Sequence, residues 1–317
     1  MRLDCRVRQE LKMMITSDEF RRKRLEHTEK PVRIVLDTDT KNEIDDQFAI
    51  VYALFSPIDI TVEAINAAPF TKTGYLNPAL GMEASYQEIL KVLDKMDIIG
   101  KVPVFRGARS ILRDPAIPIR SEATDNLIRL AAESGDDPLY VVGIGAATNI
   151  ASAILLKPEI MKHIVVVWLG SHPEYWDTPI EFNLQNDPMA AMILLDSGVP
   201  LVHVPCKNVA EHLRTVPAEI DEYVRGRGAI GDYLADIFRE WVPGRARSKS
   251  LWDMTTIAYL VNPEWVPSKI SQAPKINADM TWDTIEKGRH IYRVAIDAKR
   301  DPIFQDFFGK LEGGISC

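Results

Sequence analysis

Cysteine is scarce in this chain. Cys5, Cys206 and Cys317 are the only three, far apart and odd in number. No CxxC or zinc-type spacing is present, which argues against a disulfide framework and against a cysteine-held metal. Long apolar runs are also missing. None approaches the roughly 18 residues that a membrane span needs, and no signal peptide is seen. A reduced cytoplasm is the expected compartment. Positive charge is in deficit: 38 Lys and Arg stand against 45 Asp and Glu, a formal net charge of −7. A broad nucleic-acid or anionic-membrane footprint is therefore not expected. Repeats, low-complexity tracts and Gly/Ser/Pro linkers are absent too. One domain is expected over residues 31–317, preceded by a charged helical arm over 1–30. A helix start is read after Met14, capped by Thr16 or Ser17.

What is present is alternation. "VRIVLD", "IDITVEAINAAP", "VPVFRG", "PLYVVGIG", "HIVVVWLG" and "VPLVHVPC" read as buried strands. "DDQFAIVYALF", "GMEASYQEILKVLDKM", "EATDNLIRLAAES", "AATNIASAILL" and "DPMAAMILLDSG" read as the helices between them. This βα order predicts an α/β fold, a mostly parallel central sheet with helices on both faces. Residues 208–262 read as mainly helical and 270–300 as β-rich, and "FQDFFGKL" as a closing helix.

Four carboxylates crowd one strand-to-helix turn. Asp37 and Asp39 end the first strand, and Asp45 and Asp46 open the following helix. Ligands of open α/β sheets bind at the carboxyl ends of strands. Carboxylates packed together repel unless protonated or bridged by a cation, and an all-oxygen donor set favours a hard one, Ca²⁺ or Mg²⁺. "IVLDTDT" also satisfies the DxDx(T/V) signature of a haloacid-dehalogenase-type phosphatase, with "GDYLAD" at 231–236 as a late motif. That late motif should close a strand, yet "GAIGDYLADIFREW" has helical periodicity.

After "DTDTKNEIDDQFA", five further segments occur in one order: "GIGAATNIASAI", "VVVWLG", "EFNLQNDPMAAMIL", "LWDMTTIAYLVNPEW" and "YRVAIDAKRDPIFQDFF". Over residues 32–312 the chain resembles the calcium-dependent nucleoside hydrolases of inosine-uridine-preferring type, which carry DxDPGxDDAxA, TNIA, EFNxxxDPEAA and HDPxAVAYxxDP motifs. The resemblance implies hydrolysis of the N-glycosidic bond of a ribonucleoside, giving base and ribose. It implies a Ca²⁺ held by Asp39, Asp46, the carbonyl of Thr148 and Asp253, with Asp37 in support. Asp39 is then the base that activates the attacking water, and Asp45, Glu181 and Asn183 take the ribose hydroxyls. It also implies a small-molecule nucleoside as partner and a homodimer or homotetramer. Read alone, Thr148-Asn149 and Asp253 are equally helix caps, and Glu181 and Asn183 equally loop surface.

The chain departs from that family in three places. The DTD–DD turn, Thr40 to Ile44, is two residues longer, so Asn42 or Glu43 is a candidate to enter the site. The family's VGN is replaced by "AAPFT", which leaves Asn66 or Asn77 as substitutes. The family's late His-Asp is Trp252-Asp253. Tryptophan cannot donate a proton usefully but offers a stacking face, and Trp168, Tyr175 and Trp176 are candidates for the same aromatic wall. His172, just after a strand end, is the candidate acid. His203 reads as core, and His212 is left open. A lapsed hydrolase that binds calcium and a ribosyl ligand without turnover is the non-enzyme alternative.

Overall fold

The computed structural model describes residues 17–26, 31–244, 246–283 and 288–314. Cys5, Cys317, Met14 and Thr16 lie outside them. Eight strands form one sheet in the order β3-β2-β1-β4-β5-β6-β10-β9. They are β1 (Val32–Thr38), β2 (Ile60–Ala67), β3 (Val104–Arg106), β4 (Leu139–Gly143), β5 (Ile164–Leu169), β6 (Leu201–Val204), β9 (Ser268–Gln272) and β10 (Ile291–Ala295). All neighbours are parallel except β9, which runs antiparallel to β10. A two-stranded antiparallel ribbon, β7 (Arg214–Thr215) with β8 (Lys249–Ser250), stands apart.

The central strands are apolar on both faces because both are covered. In β4, Tyr140 and Val142 face one core while Leu139 and Val141 face the other; β5 alternates in the same way. The first core is closed by helices Asp45–Leu54, Pro78–Lys95, Gly228–Trp241, Met254–Val261 and Arg300–Gly313, the second by Glu122–Ala132, Thr148–Leu156 and Pro188–Ser197. The expected α/β layering is therefore what the chain builds. The "GDYLAD" segment lies inside Gly228–Trp241, where Asp232 and Asp236 serve Gly226 and Arg225. The phosphatase reading fails on that point, since the motif closes no strand.

The described part of the N-terminal arm is a helix, Asp18–Arg24, with the Ser17 hydroxyl accepting from the Phe20 amide. It docks against β10 and the turn before β6: buried Arg21 donates to the Gly198 carbonyl at 2.7 Å, and Arg293 to the Leu25 carbonyl at 3.0 Å.

Strand order fixes where a site can form. The chain leaves β1 outward to β2 and β3, then crosses back to β4 on the other side of β1. Connections diverge at the carboxyl ends of β1 and β4 and leave a crevice there.

Candidate active site

A cavity of about 220 Å³ opens at that crevice. Its floor comes from β1 and the turn after it. Asp39 lies just beyond β1, Asp46 in the first turn of helix Asp45–Leu54, and Asp253 immediately before helix Met254–Val261. Carboxylate oxygens of Asp45, Asp46 and Asp253 lie within 4.8 Å of one another, all buried. Asp253 occupies a cap position, but its carboxylate makes no capping bond. It turns into the cluster instead.

Burial and mutual repulsion dominate the electrostatics. Burial, then Asp46, Asp45 and Glu43, drive the Asp39 carboxyl well above the ordinary carboxylate range. Burial, then Asp45, Asp46 and Asp39, do so for Asp253. Asp46 is raised to about 7 by burial and Asp45, although the Thr38 hydroxyl donates to it at 2.5 Å. Carboxylate oxygens of Asp46 and Asp253 lie close together in the cluster, and like charges at that separation repel. Asp39 Oδ2 is buried, with no hydrogen-bond partner among the described residues. A buried, unpartnered carboxylate oxygen beside two more carboxylates fits a hard cation, since a cation removes both penalties at once.

Asp37 stands behind this floor. Its Oδ2 accepts from Asn149 Nδ2 at 2.9 Å, and burial lifts its pKa to about 7. Thr148 opens helix Thr148–Leu156, but not as a side-chain cap: its hydroxyl donates to Asp187 at 2.8 Å. Asn149 Oδ1 accepts from the Ala108 amide at 2.8 Å. Neither Asp37 nor Thr148 lines the cavity.

The opposite wall is hydrogen-bonded throughout. Glu181 caps helix Phe182–Asn186 and accepts from the amides of Ser171, Asn183 and Leu184 at 2.6–2.9 Å. Asn183 Nδ2 donates to the carbonyls of Ile144 and Leu169. Both residues line the cavity and neither is loop surface.

The long turn folds inward. The Asn42 amide donates to the Asp39 carbonyl at 2.7 Å, and Lys72 donates to the carbonyls of Lys41 and Asn42. Asn42 and Glu43 both line the cavity. Asn77 is instead the cap of helix Pro78–Lys95, and Asn66 is buried in β2 in register with Asp37. The inserted turn, not the second strand, puts an asparagine at the site.

Lys249 was not anticipated. From β8 it reaches 2.5 Å from Glu43 and 3.1 Å from Asp45. Burial pushes its pKa down, but Asp45 and Glu43 more than offset that and raise it. A lysine in a segment without periodicity gives no sign of burial. The one available signal is a glutamate added to an already acidic turn, which needs a counter-charge.

The aromatic wall is narrower than expected. Trp252 lines the cavity, with the Lys207 ammonium 5.9 Å from its ring centroid. Trp168 is fully buried and stacks on His203, and Tyr175 is 70 % exposed; neither lines the cavity, nor does Trp176. Among the histidines, His172 lines it, half-buried, with its pKa lowered by burial and then by Lys207. His203 is core, its Nε2 donating to the Gly170 carbonyl at 2.7 Å, and His212 pairs with Asp297 at the surface.

The family profile described as "Inosine-uridine preferring nucleoside hydrolase" matches residues 34–304, most of the chain. The chain belongs to that family. A pyrimidine-specific ribonucleoside hydrolase RihA of an Enterobacter species is 27 % identical, covering 73 % of this chain and 79 % of the relative. The enzyme of that name from Citrobacter koseri is 29 % identical, covering 69 % and 77 %. Among solved structures, the plant nucleoside hydrolase PpNRh1 superimposes with a TM-score of 0.71 at 19 % identity, covering 89 % of this chain and 99 % of that one. A purine-preferring ribonucleoside hydrolase from Gardnerella vaginalis gives 0.70 at 22 % identity, covering 89 % and 98 %. These two show the shared fold.

This nucleoside hydrolase is accordingly a glycosidase acting on a small ribonucleoside. Its buried acidic cluster can hold a metal ion. Among the described residues, no helix is long and apolar enough to cross a membrane.

Proposed function

We propose that this protein is a Ca²⁺-dependent ribonucleoside hydrolase whose cation is held by Asp39, Asp46, Asp253 and the Thr148 carbonyl. The observation that carries this reading is the buried, unpartnered oxygen of Asp39 beside the Asp46–Asp253 pair. When bound there, a hard cation would lower the pKa of the attacking water and fix its direction.

The chain's own groups do the rest. Asp39 takes the proton of that water. Asp37, held by Asn149, backs the Asp39 strand end. Asp45 accepts from ribose hydroxyls, and Asn183 and Glu181 shape the far wall of the sugar pocket. Breaking an N-glycosidic bond builds positive charge on the sugar ring, and a pocket rich in carboxylates stabilises that charge. Trp252 stacks on the departing base. Burial and Lys207 keep the His172 ring neutral near pH 7, so it assists the leaving base as a neutral N–H donor. The relatives' names divide between pyrimidine and purine substrates, and the aromatic face of Trp252 accommodates either.

The test is release of reducing sugar from a panel of purine and pyrimidine ribonucleosides, with and without chelator, beside Asp39→Ala. Chelator-sensitive release that disappears in the variant is expected. Release unaffected by chelator, or an active Asp39→Ala, would overturn the assignment.

A further inference from the structure

Asp45, Asp46 and Asp253 converge closely enough for one cation to draw on all three. Lys249 intervenes. Its ammonium lies 3.1 Å from Asp45 Oδ1 and 2.5 Å from Glu43, and donates to the Ser250 carbonyl at 2.9 Å. We propose that Lys249, anchored by Glu43, is a positioning residue that withholds Asp45 from the cation and keeps it for the sugar hydroxyls. The inference rests on the proposed cation assignment to Asp39, Asp46 and Asp253.

Three features hold the ammonium there. The β7–β8 ribbon fixes the Lys249 backbone. The Trp241 ring, its centroid 6.0 Å from the ammonium, shields it. Glu43 belongs to the lengthened turn, which is itself pinned by Lys72, by the Lys41–Glu88 pair at 2.9 Å and by the Asn42–Asp39 backbone bond. Asp45 and Lys249 are 204 residues apart in sequence yet meet at one hydrogen bond.

The physical consequence is a division of labour. A carboxylate oxygen that accepts from an ammonium is a poorer ligand for a second cation, and the ammonium repels that cation directly. At an effective dielectric near 20, a unit charge a few ångströms from a divalent ion changes its affinity by roughly ten-fold or more. The same ammonium fixes the orientation of the Asp45 carboxylate, ready to accept from a vicinal diol.

Calorimetric titration of chelator-stripped full-length protein with CaCl₂ tests this without relying on turnover. Lys249→Met is expected to bind Ca²⁺ about ten-fold more tightly. Asp45→Asn alone is expected to weaken binding about ten-fold through its lost charge, and the gain from Lys249→Met is expected to shrink in the Asp45→Asn background. In parallel, Lys249→Met should raise KM for a ribonucleoside more than it lowers kcat, with Lys249→Arg partly restoring KM. If Lys249→Met does not fold, by circular dichroism, Lys249→Gln carries the same test. Unchanged or weaker Ca²⁺ affinity in the folded variant would overturn the proposal, as would a Lys249→Met gain undiminished in the Asp45→Asn background, which would leave Lys249 acting by direct repulsion alone. Absence of Ca²⁺ binding by the unaltered protein would overturn the cation assignment and this inference together. Calcium binding without the Lys249 effect would remove only the latter.

Discussion

The two walls of the cavity are built from the same residue types and behave in opposite ways. On one side, Glu181 accepts three amides and Asn183 spends its amide on two carbonyls. On the other, Asp39 Oδ2 has no partner among the described residues, and Asp46 and Asp253 press like charges together. Burial alone does not distinguish them, because both walls are buried. Satisfaction does. A buried polar group with its hydrogen bonds made is scaffold, and one left without them is held in place by the fold for something else. The comparison predicts that substitutions on the two walls separate into losses of stability and losses of chemistry.

The largest effect is expected at Asp39. Asp39→Ala should lower kcat by about 10³-fold or more, the scale of a lost base that also serves as a metal ligand. Its metal-free Tm should stay level or rise, since the substitution removes a buried charge repelled by Asp46, Asp45 and Glu43. A drop of several degrees would place Asp39 with the scaffold. Glu181→Ala should do the reverse. Three amides lose their acceptor, at a cost of about 3 kcal/mol in urea unfolding. A Glu181→Ala protein of undiminished stability would break the comparison.

A pH series sharpens it. On the scaffold side, burial lowers the His203 pKa to about 4 from an ordinary 6.5, against the pull of its bond to Gly170. The unfolded chain then takes up the proton first, so stability falls as pH drops from about 6.5 to about 4, by roughly 3 kcal/mol. On the cluster side the sign is opposite. Burial and Asp45 raise Asp46 to about 7, and burial raises Asp37 to about 7. In the unfolded chain both ionise near 4. Their contribution to metal-free stability is therefore fullest below about 4 and is lost as pH rises to about 7. The two contributions overlap between about pH 4 and 7 with opposite sign, so urea unfolding in chelator over that range separates them by variant. His203→Gln should steepen the fall of stability with rising pH, and Asp46→Asn should lessen it.

Much of this was legible in the sequence because period and composition report burial. Apolar runs such as "IVVVWL" can only be strands covered on both faces, and the carboxylates follow the first of them without a gap. Partnership was not legible. Glu181 and Asp253 read as caps or surface equally well from sequence; one proved a cap, the other a cap position whose carboxylate turns away. Trp168 and Trp252 carry the same side chain, yet one fills the core and one lines the cavity. Lys249 could not be foreseen, because what holds it is an ion pair across the whole chain. Long-range pairs leave no periodic trace.

The smallest expected effect tests the edge of the cavity. Trp252 stands where the family pattern has histidine, and its ring faces the cavity beside Lys207 and Cys206. Trp252→His exchanges a stacking surface for a proton donor. The loss of stacking should raise KM about three- to ten-fold, the value of roughly 1 kcal/mol of aromatic contact. The gain of an acid should raise kcat about ten-fold for ordinary nucleosides, whose bases leave poorly without protonation. For p-nitrophenyl riboside, whose leaving group departs as a stable anion, kcat should not change. A kcat gain confined to the poor leaving groups would show that the unaltered enzyme is limited by the base's departure and not by the carboxylate floor. An equal gain on both, or none, would move the limit back to the attack at Asp39. The two walls would then not divide binding from chemistry at that position.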